Sequence, residues 1–151
     1  MQGKNKTGEN IIIGYSRTPL VKKLGIQSGF RLYAKNSPAN YEALIAPLPD
    51  GVQILRRLTR DLDMIHFFTT SRAELTANIE PFMGRIKQDG MIWVSWPKKA
   101  SKVPTDVTED VIRELILPPG LVDGKVCAVD AIWSGLKLVI RKENRQKADE
   151  K

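Results

Sequence analysis

The feature that most constrains the fold is a continuous apolar run, Asp63-Met64-Ile65-His66-Phe67-Phe68. A strand of this kind, without alternating polar side chains, is covered on both faces, as in a parallel sheet flanked by helices. The residues between the strand predicted over 52–55 and this run are too few to hold a crossover helix and another strand. The run therefore predicts an α/β protein with a short parallel sheet.

Strand and helix patterns alternate on both sides of this run. The predicted helices cover residues 19–24, 38–46, 71–86 and a segment that is capped by Thr105 or Asp106 and ends at Pro118. The predicted strands cover residues 30–35, 52–55, 63–68, 91–96, 126–133 and 136–141. Ser134-Gly135 separates the last two strands and predicts an antiparallel hairpin. With right-handed crossovers, this order predicts a Rossmann-like three-layer α/β sandwich, a mostly parallel open sheet that ends in an antiparallel β-hairpin.

The length and the cysteine count bound the domain organisation. The 151 residues predict a single domain over 17–142, with flexible tails over 1–16 and 143–151. One cysteine and one histidine exclude a disulfide framework, a Cys/His zinc site and any catalytic arrangement that needs two histidines. No apolar run is long enough for a membrane span or a signal-peptide core, and Cys127 has no disulfide partner. We therefore expect a cytoplasmic protein without a membrane association.

The net charge of +7 is concentrated near the N-terminus. Residues 1–35 contain seven Lys or Arg side chains and one Glu. Such a stretch is attracted to phosphates, which makes nucleic-acid association one hypothesis. It lacks the interleaved aromatic side chains of single-strand binders, and a solvated basic tail explains the same charges.

The candidate ligand-binding residues follow from the predicted strand ends. In open α/β sheets, ligands bind beyond the carboxyl ends of the parallel strands, where the connections diverge. The segment from Trp96 to Lys102 brings an aromatic ring, adjacent ammonium groups and hydroxyls to that edge, so it predicts an anionic or nucleotide-like ligand. In the alternative, Trp96 packs in the core and the lysines lie in a solvated loop. The candidates are Asn36, Ser37, Thr69, Thr70, Trp96, Lys98, Lys99 and Ser101.

Structural roles explain the remaining polar residues better. Ser71 begins a capping-box pattern and His66 lies in an apolar strand, so neither is expected to act in catalysis. Cys127 is expected to be a small buried apolar group. Asp130 and Trp133 are assigned a structural role, although Asp130 would orient a ligand if it faced the cleft. We predict no catalytic residue and no metal site.

Several short motifs resemble a known fold family. Leu24-Gly25-Ile26, Gly29-Phe30-Arg31, the strand that follows Asp89-Gly90 and the terminal hairpin resemble class I methyltransferases, whose sheet ends in a reversed strand. Trp96-Pro97-Lys98, Asp130 with Trp133-Ser134-Gly135, and Leu138-Val139 resemble, more closely, an uncharacterised bacterial family, the domain of unknown function numbered three thousand and fifty-two. The resemblance spans residues 18–142. It implies a trimmed methyltransferase-like fold that lacks one strand-helix unit, and it implies no established activity.

The cofactor of that fold makes demands that this sequence does not meet. S-adenosylmethionine binding implies glycines after the first strand, because only a chain without side chains approaches the ligand closely. The segment 35–40 contains no glycine, and Pro38 also removes an amide donor. The ribose hydroxyls call for a carboxylate at the end of the second strand, where Leu55 is followed by Arg56 and Arg57. We therefore predict no cofactor, and the sequence argues against S-adenosylmethionine.

The sequence leaves three functions open. The leading hypothesis is a non-catalytic, methyltransferase-like module that binds a small anionic ligand or a protein partner. The alternatives are an S-adenosylmethionine-dependent methyltransferase with an altered cofactor site and a nucleic-acid-associated protein that uses the basic N-terminal region. Arg56, Arg57 and Arg60 could meet a phosphate or form surface pairs with Asp61 and Asp63. A shortened sheet also leaves an edge strand with which a second copy could pair as a homodimer.

Overall fold

The computed structural model describes residues 18–145, in which six strands form one sheet. The strands are β1 (Arg31–Lys35), β2 (Gln53–Leu55), β3 (Leu62–Phe68), β4 (Ile86–Pro97), β5 (Leu121–Ala128) and β6 (Trp133–Ile140). The α-helices are α1 (Leu20–Leu24), α2 (Tyr41–Leu44), α3 (Arg72–Met83) and α4 (Glu109–Ile116), and single turns of 3-10 helix cover Lys99–Ser101 and Lys142–Asn144.

The strand order across the sheet is β2-β1-β3-β4-β6-β5. The pairs β1 with β2, β1 with β3 and β3 with β4 are parallel, whereas β6 runs antiparallel to both β4 and β5. The predicted α/β fold, with a mostly parallel sheet and an antiparallel end, is confirmed. The chain leaves β1 toward β2 on one side and returns to β3 on the other, so the connections diverge between β1 and β3.

Helices cover both faces of the sheet, as the apolar run in β3 predicts. Ile65 and Phe67 pack in the cluster that contains α3 and α4, whereas Met64 and Phe68 pack in the cluster that contains α1 and α2. All four side chains are fully or almost fully buried. Each contributes roughly 1.5–3 kcal/mol through the removal of its apolar surface from water.

The predicted position of the terminal hairpin turn is wrong. Ser134 and Gly135 lie inside β6, and the turn covers residues 129–132. The Asp130 carboxylate forms this turn, because it accepts hydrogen bonds from the backbone N–H of Ile132 at 2.9 Å and of Trp133 at 2.8 Å. A Cβ at Gly135 would lie 3.2 Å from Trp93 Cε3, so the glycine serves close packing within the strand.

The predicted cap of α4 is also wrong, because Thr108 caps this helix by accepting the backbone N–H of Val111. Thr105 and Asp106 instead bind the start of α3: Thr105 Oγ1 donates to the Thr70 carbonyl at 2.8 Å, and Asp106 Oδ1 accepts from the backbone N–H of Arg72 at 2.6 Å. These contacts hold the loop before α4 against the loop after β3.

Two predicted helices are shorter in the structure. The helix predicted over 38–46 is reduced to α2, Tyr41–Leu44, because residues 36–40 form turns after β1. The helix predicted over 71–86 ends at Met83, and Ile86 begins β4. Pro81 is accommodated within α3, close to its end.

The described range leaves part of the predicted tails outside. The N-terminal tail predicted over 1–16 lies outside the described residues, as do residues 146–151 of the predicted C-terminal tail. Inside the range, Asn144 Nδ2 donates to the Gly120 carbonyl at 3.3 Å. Within residues 18–145, none of the helices has the length and apolar character that a bilayer crossing requires.

Candidate functional site

Three side chains meet where the connections of the sheet diverge, at the carboxyl ends of β1 and β3. Asn36 Nδ2 donates to the Phe68 carbonyl and to Glu74 Oε2, both at 3.1 Å. Thr69 Oγ1 donates to Glu74 Oε1 at 2.6 Å. Glu74 thus joins the loop after β1 to the loop after β3. We call Asn36, Thr69 and Glu74 the switch-point cluster.

The turn after β1 forms without a glycine because Asn36 adopts the left-handed conformation, with φ of 60°. Asparagine is among the few residues other than glycine that visit this region routinely. The chain can therefore turn sharply after β1, although residues 35–40 contain no glycine. Ser37, Pro38 and Ala39 follow and present small side chains.

Glu74 is a site residue that the sequence reasoning missed. Ser71 caps α3 as predicted, because its Oγ accepts the backbone N–H of Glu74 at 3.1 Å. The backbone N–H of Ser71, which the glutamate of a capping box would accept, donates instead to Thr69 Oγ1 at 3.1 Å. The Glu74 carboxylate is thereby directed toward Asn36. Its position as the last residue of the capping-box pattern Ser71-Arg72-Ala73-Glu74 gave no signal of this contact.

A cavity of about 450 Å³ opens beside this cluster, between α2 and the carboxyl ends of β1 and β2. We call it the β1–β2 cavity. Its polar groups come from Ser37, Glu42 and Arg56. The remaining lining residues are Ala34, Pro38, Ala39, Tyr41, Ile54 and Leu55.

A buried hydrogen-bonded chain supports the wall of this cavity. Tyr41 Oη lies 2.8 Å from His66 Nδ1, and His66 Nε2 lies 2.7 Å from Ser95 Oγ. The His66 ring also stacks on Phe68, with centroids 4.2 Å apart. Burial lowers the pKa of His66 to about 3 and raises the pKa of Tyr41. His66 is therefore a neutral core histidine with both ring nitrogens bonded, as predicted.

A second cavity, of about 550 Å³, lies between the end of β4 and the start of α4. We call it the β4–α4 cavity. Trp96 and Lys99, both candidate site residues, line it, and Lys102 joins them. Its other lining residues are Pro97, Val103, Pro104, Thr105, Val107, Thr108 and Glu109.

The other predicted site residues at this edge of the sheet form hydrogen bonds that hold the loops in place. Lys98 Nζ donates to the Asp130 carbonyl at 2.7 Å, and Ser101 Oγ donates to the Lys98 carbonyl at 2.6 Å. Thr70 contributes its carbonyl to the contact with Thr105. The structure therefore divides the predicted residues among three places: the switch-point cluster with Ser37, the β4–α4 cavity, and loop contacts.

Asp130 and Trp133 occupy structural positions at the hairpin turn. The Asp130 carboxylate accepts from the turn backbone, and the Trp133 ring packs edge-on against Phe68 with centroids 5.1 Å apart. Cys127 lies in β5, half-buried, and burial raises the pKa of its thiol. A raised pKa disfavours the reactive thiolate.

The arginines after β2 do not form one cluster around a ligand. Arg56 lines the β1–β2 cavity, whereas Arg60 lines a different cavity near the start of β4. Asp63 is bonded elsewhere: it accepts the backbone N–H of Arg31 at 2.8 Å and pairs with Lys87 at 2.9 Å. Within residues 18–145, no group of three or more His, Cys, Asp or Glu side chains is placed to hold a metal ion.

Several solved structures share this fold. A SAM-dependent methyltransferase from Aquifex aeolicus matches with a TM-score of 0.60 and 15% identity, over 80% of this chain and 87% of that chain. The fibrillarin pre-rRNA processing protein of Methanococcus jannaschii matches with a TM-score of 0.57 and 10% identity, over 85% and 72%. Aeropyrum pernix fibrillarin, in complex with natively bound S-adenosyl-L-methionine, matches with a TM-score of 0.54 and 12% identity, over 80% and 72%.

No protein-family model and no curated protein sequence matches this chain. The resemblance to the numbered domain family therefore lacks support. The chain has a methyltransferase-like Rossmann fold, as the motifs implied.

The prediction that argued against S-adenosylmethionine is wrong. The structures that share the fold include a SAM-dependent methyltransferase and a chain with this cofactor natively bound, so S-adenosylmethionine does occur with this fold. The sequence argument required glycines after β1 for a close approach to the ligand, and the structure shows that the chain turns sharply there without a glycine, at Asn36 with a positive φ. It also sought a carboxylate only at the end of β2, whereas Glu42 reaches the same cavity from α2.

The described residues fit an adenosyl group. The β1–β2 cavity has the size of small-molecule sites, which range from about 300 to 1,000 Å³. The Glu42 carboxylate is an acceptor suited to ribose hydroxyls, and Arg56 and Ser37 supply donors. Ala34, Ile54 and Leu55 supply apolar surface for a flat base.

Proposed function

We propose that this protein binds S-adenosylmethionine in the β1–β2 cavity, as a methyltransferase-fold protein with an altered cofactor-binding loop. The observation that carries the proposal is the cavity itself, which opens beside the divergence of the strand connections and is lined by Ser37, Glu42 and Arg56. Ligands of open α/β sheets bind beyond the carboxyl ends of the strands, and the cavity lies at the ends of β1 and β2, next to the point of divergence between β1 and β3. When bound, S-adenosylmethionine supplies an activated methyl group.

Each polar residue has a distinct role in this proposal. Glu42 accepts hydrogen bonds from the ribose hydroxyls, and Arg56 donates to a ring nitrogen of the base. Asn36 and Glu74 hold the loop after β1 in its turn through the contacts of the switch-point cluster. The loop then keeps Ser37 and Ala39 at the rim of the cavity without a glycine.

Isothermal calorimetry with S-adenosylmethionine and S-adenosylhomocysteine tests the proposal. We expect saturable binding of both ligands to the full chain, and we expect Glu42→Gln to weaken it roughly tenfold, the order of a lost charge-assisted hydrogen bond. Glu80→Gln removes the same charge from an exposed position on α3 and serves as the matched control. No binding, or equal weakening by both variants, would contradict the proposed site.

The proposal also covers catalysis. We propose that the site works without a histidine base, because His66 is the single histidine of the chain and is fully buried. Transfer of label from methyl-tritiated S-adenosylmethionine to total RNA and protein extract is expected to show no rate step with an apparent pKa of about 6.5. A transfer rate that rises with an apparent pKa near that of histidine, about 6.5, would contradict this statement. We also propose a cytoplasmic location, because the single cysteine of the chain, Cys127, leaves no intramolecular disulfide that an oxidising compartment would form.

A further inference from the structure

The β4–α4 cavity combines an apolar floor with basic groups at its rim. Trp96 is 8% exposed and Val107 is 1% exposed, so both belong to the core and present apolar surface to the cavity. Val103, at 37% exposure, forms part of the outer wall. Pro97 and Pro104 add further apolar surface. The floor therefore suits a flat apolar group.

The charges at the rim are unbalanced. Lys99 and Lys102 are exposed and belong to one turn, which the hydrogen bond from the Lys102 N–H to the Lys99 carbonyl closes at 3.1 Å. Glu109 is the acid of the lining, and it pairs with Arg113 one turn further along α4. The Glu109 charge is therefore compensated within the helix, and the two ammonium groups give the cavity a net positive rim.

Hydrogen bonds hold the walls in place. Thr105 binds the Thr70 carbonyl, and Asp106 binds the backbone of Arg72, so the loop before α4 is fastened to the start of α3. Ser101 Oγ accepts the backbone N–H of Val103 at 3.2 Å. A cavity whose walls are bonded in this way needs little rearrangement to accept a ligand.

We propose that the β4–α4 cavity binds a small aromatic anion, with its ring on Trp96 and Val107 and its acidic group between Lys99 and Lys102. A dry cavity of about 150 Å³ holds benzene, so a volume of about 550 Å³ accommodates a fused ring system with one acidic substituent. The site goes beyond the proposed function, because it lies on a different part of the sheet edge and does not require S-adenosylmethionine.

Two probes with the same rings test the charge requirement. Anilinonaphthalene sulfonate carries an anionic group, and N-phenylnaphthylamine has the same aromatic body without it. In fluorescence titrations we expect the sulfonate to bind roughly tenfold more tightly, the order of two solvent-exposed ion pairs. The position is read from the NMR signal of the Trp96 indole N–H, which is expected to shift on addition of the sulfonate.

Matched variants distinguish binding at this site from nonspecific binding of the probes. Lys99→Met with Lys102→Met should remove the preference for the sulfonate, whereas Lys125→Met with Lys142→Met removes the same charge from exposed positions elsewhere and should preserve it. Val103→Trp should fill the cavity and abolish binding of both probes, whereas Val126→Trp, on exposed β5, should not.

Specific results would overturn the proposal. These are equal affinity for the two probes, no binding of the sulfonate, an unchanged Trp96 signal, or the same response from both pairs of lysine variants. Melting temperatures measured on every variant confirm that each one remains folded.

Discussion

Acidification to pH 5 is expected to destabilise this protein through His66. Burial holds the pKa of His66 at about 3 in the folded chain, against about 6.5 when it is exposed in the unfolded chain. The unfolded state therefore binds more protons than the folded state between these values, and stability falls as the pH falls. The contribution is complete above pH 6.5 and is lost progressively toward pH 3.

The magnitude follows from the two pKa values. At pH 5 the unfolded histidine is almost fully protonated and the folded one is neutral, which costs about 2 kcal/mol of unfolding free energy relative to pH 7.5. Urea denaturation followed by circular dichroism at both pH values measures this difference.

A control variant isolates the histidine. Changing His66→Phe alone would leave the buried hydroxyls of Tyr41 and Ser95 without their hydrogen-bond partner. Each unsatisfied group would lower the unfolding free energy by about 1–3 kcal/mol. The triple variant with His66→Phe, Tyr41→Phe and Ser95→Ala removes all three polar groups together and should lose the dependence on pH between 7.5 and 5. Equal stability of the unaltered protein at both pH values, or an unchanged slope in the triple variant, would refute the reasoning.

Substitutions at three further positions test the fold around the site by urea denaturation at neutral pH. Gly135→Ala should lower the unfolding free energy by about 1–3 kcal/mol, because the new Cβ lies 3.2 Å from Trp93 Cε3. Asp130→Ala should lower it by about 1–3 kcal/mol, because two turn N–H groups lose their acceptor. Asn36→Val should cost about 1–3 kcal/mol through its positive φ, whereas Asn36→Gly should be tolerated better.

The controls for these substitutions come from the same chain. At Gly124 an added Cβ meets nothing closer than 3.8 Å, so Gly124→Ala should change the unfolding free energy far less than Gly135→Ala. Equal effects of these two variants would show that packing beneath Trp93 is not the cause. If Asn36→Gly and Asn36→Val destabilise the protein equally, the lost side-chain contacts of Asn36 outweigh its backbone conformation.

The sheet and its faces could be predicted because their signals are local. The apolar run of β3 marks a strand buried on both faces. The four-residue pattern that begins at Ser71 marks the start of α3. The hairpin turn was misplaced because a glycine in a strand resembles a turn signal. Gly135 is required by Trp93 on the neighbouring strand, and that contact is invisible to local patterns.

The candidate site depended on contacts between distant segments. Asn36 and Glu74 meet across 38 residues of sequence, and Thr105 reaches the Thr70 carbonyl across 35. A local rule assigns Glu74 to a capping box and Thr105 to a helix cap. In the structure, each side chain forms its hydrogen bond with the distant partner instead. The same limit explains the cofactor error, since Glu42 enters the β1–β2 cavity from a helix rather than from the strand end.

A crystal structure of the full chain with S-adenosylhomocysteine tests the central claim most directly. We predict that the adenosyl group lies in the β1–β2 cavity, with the ribose hydroxyls against Glu42 and the base beside Leu55. An adenosyl group bound at another place on the chain, or crystals that show none at saturating ligand, would contradict the account.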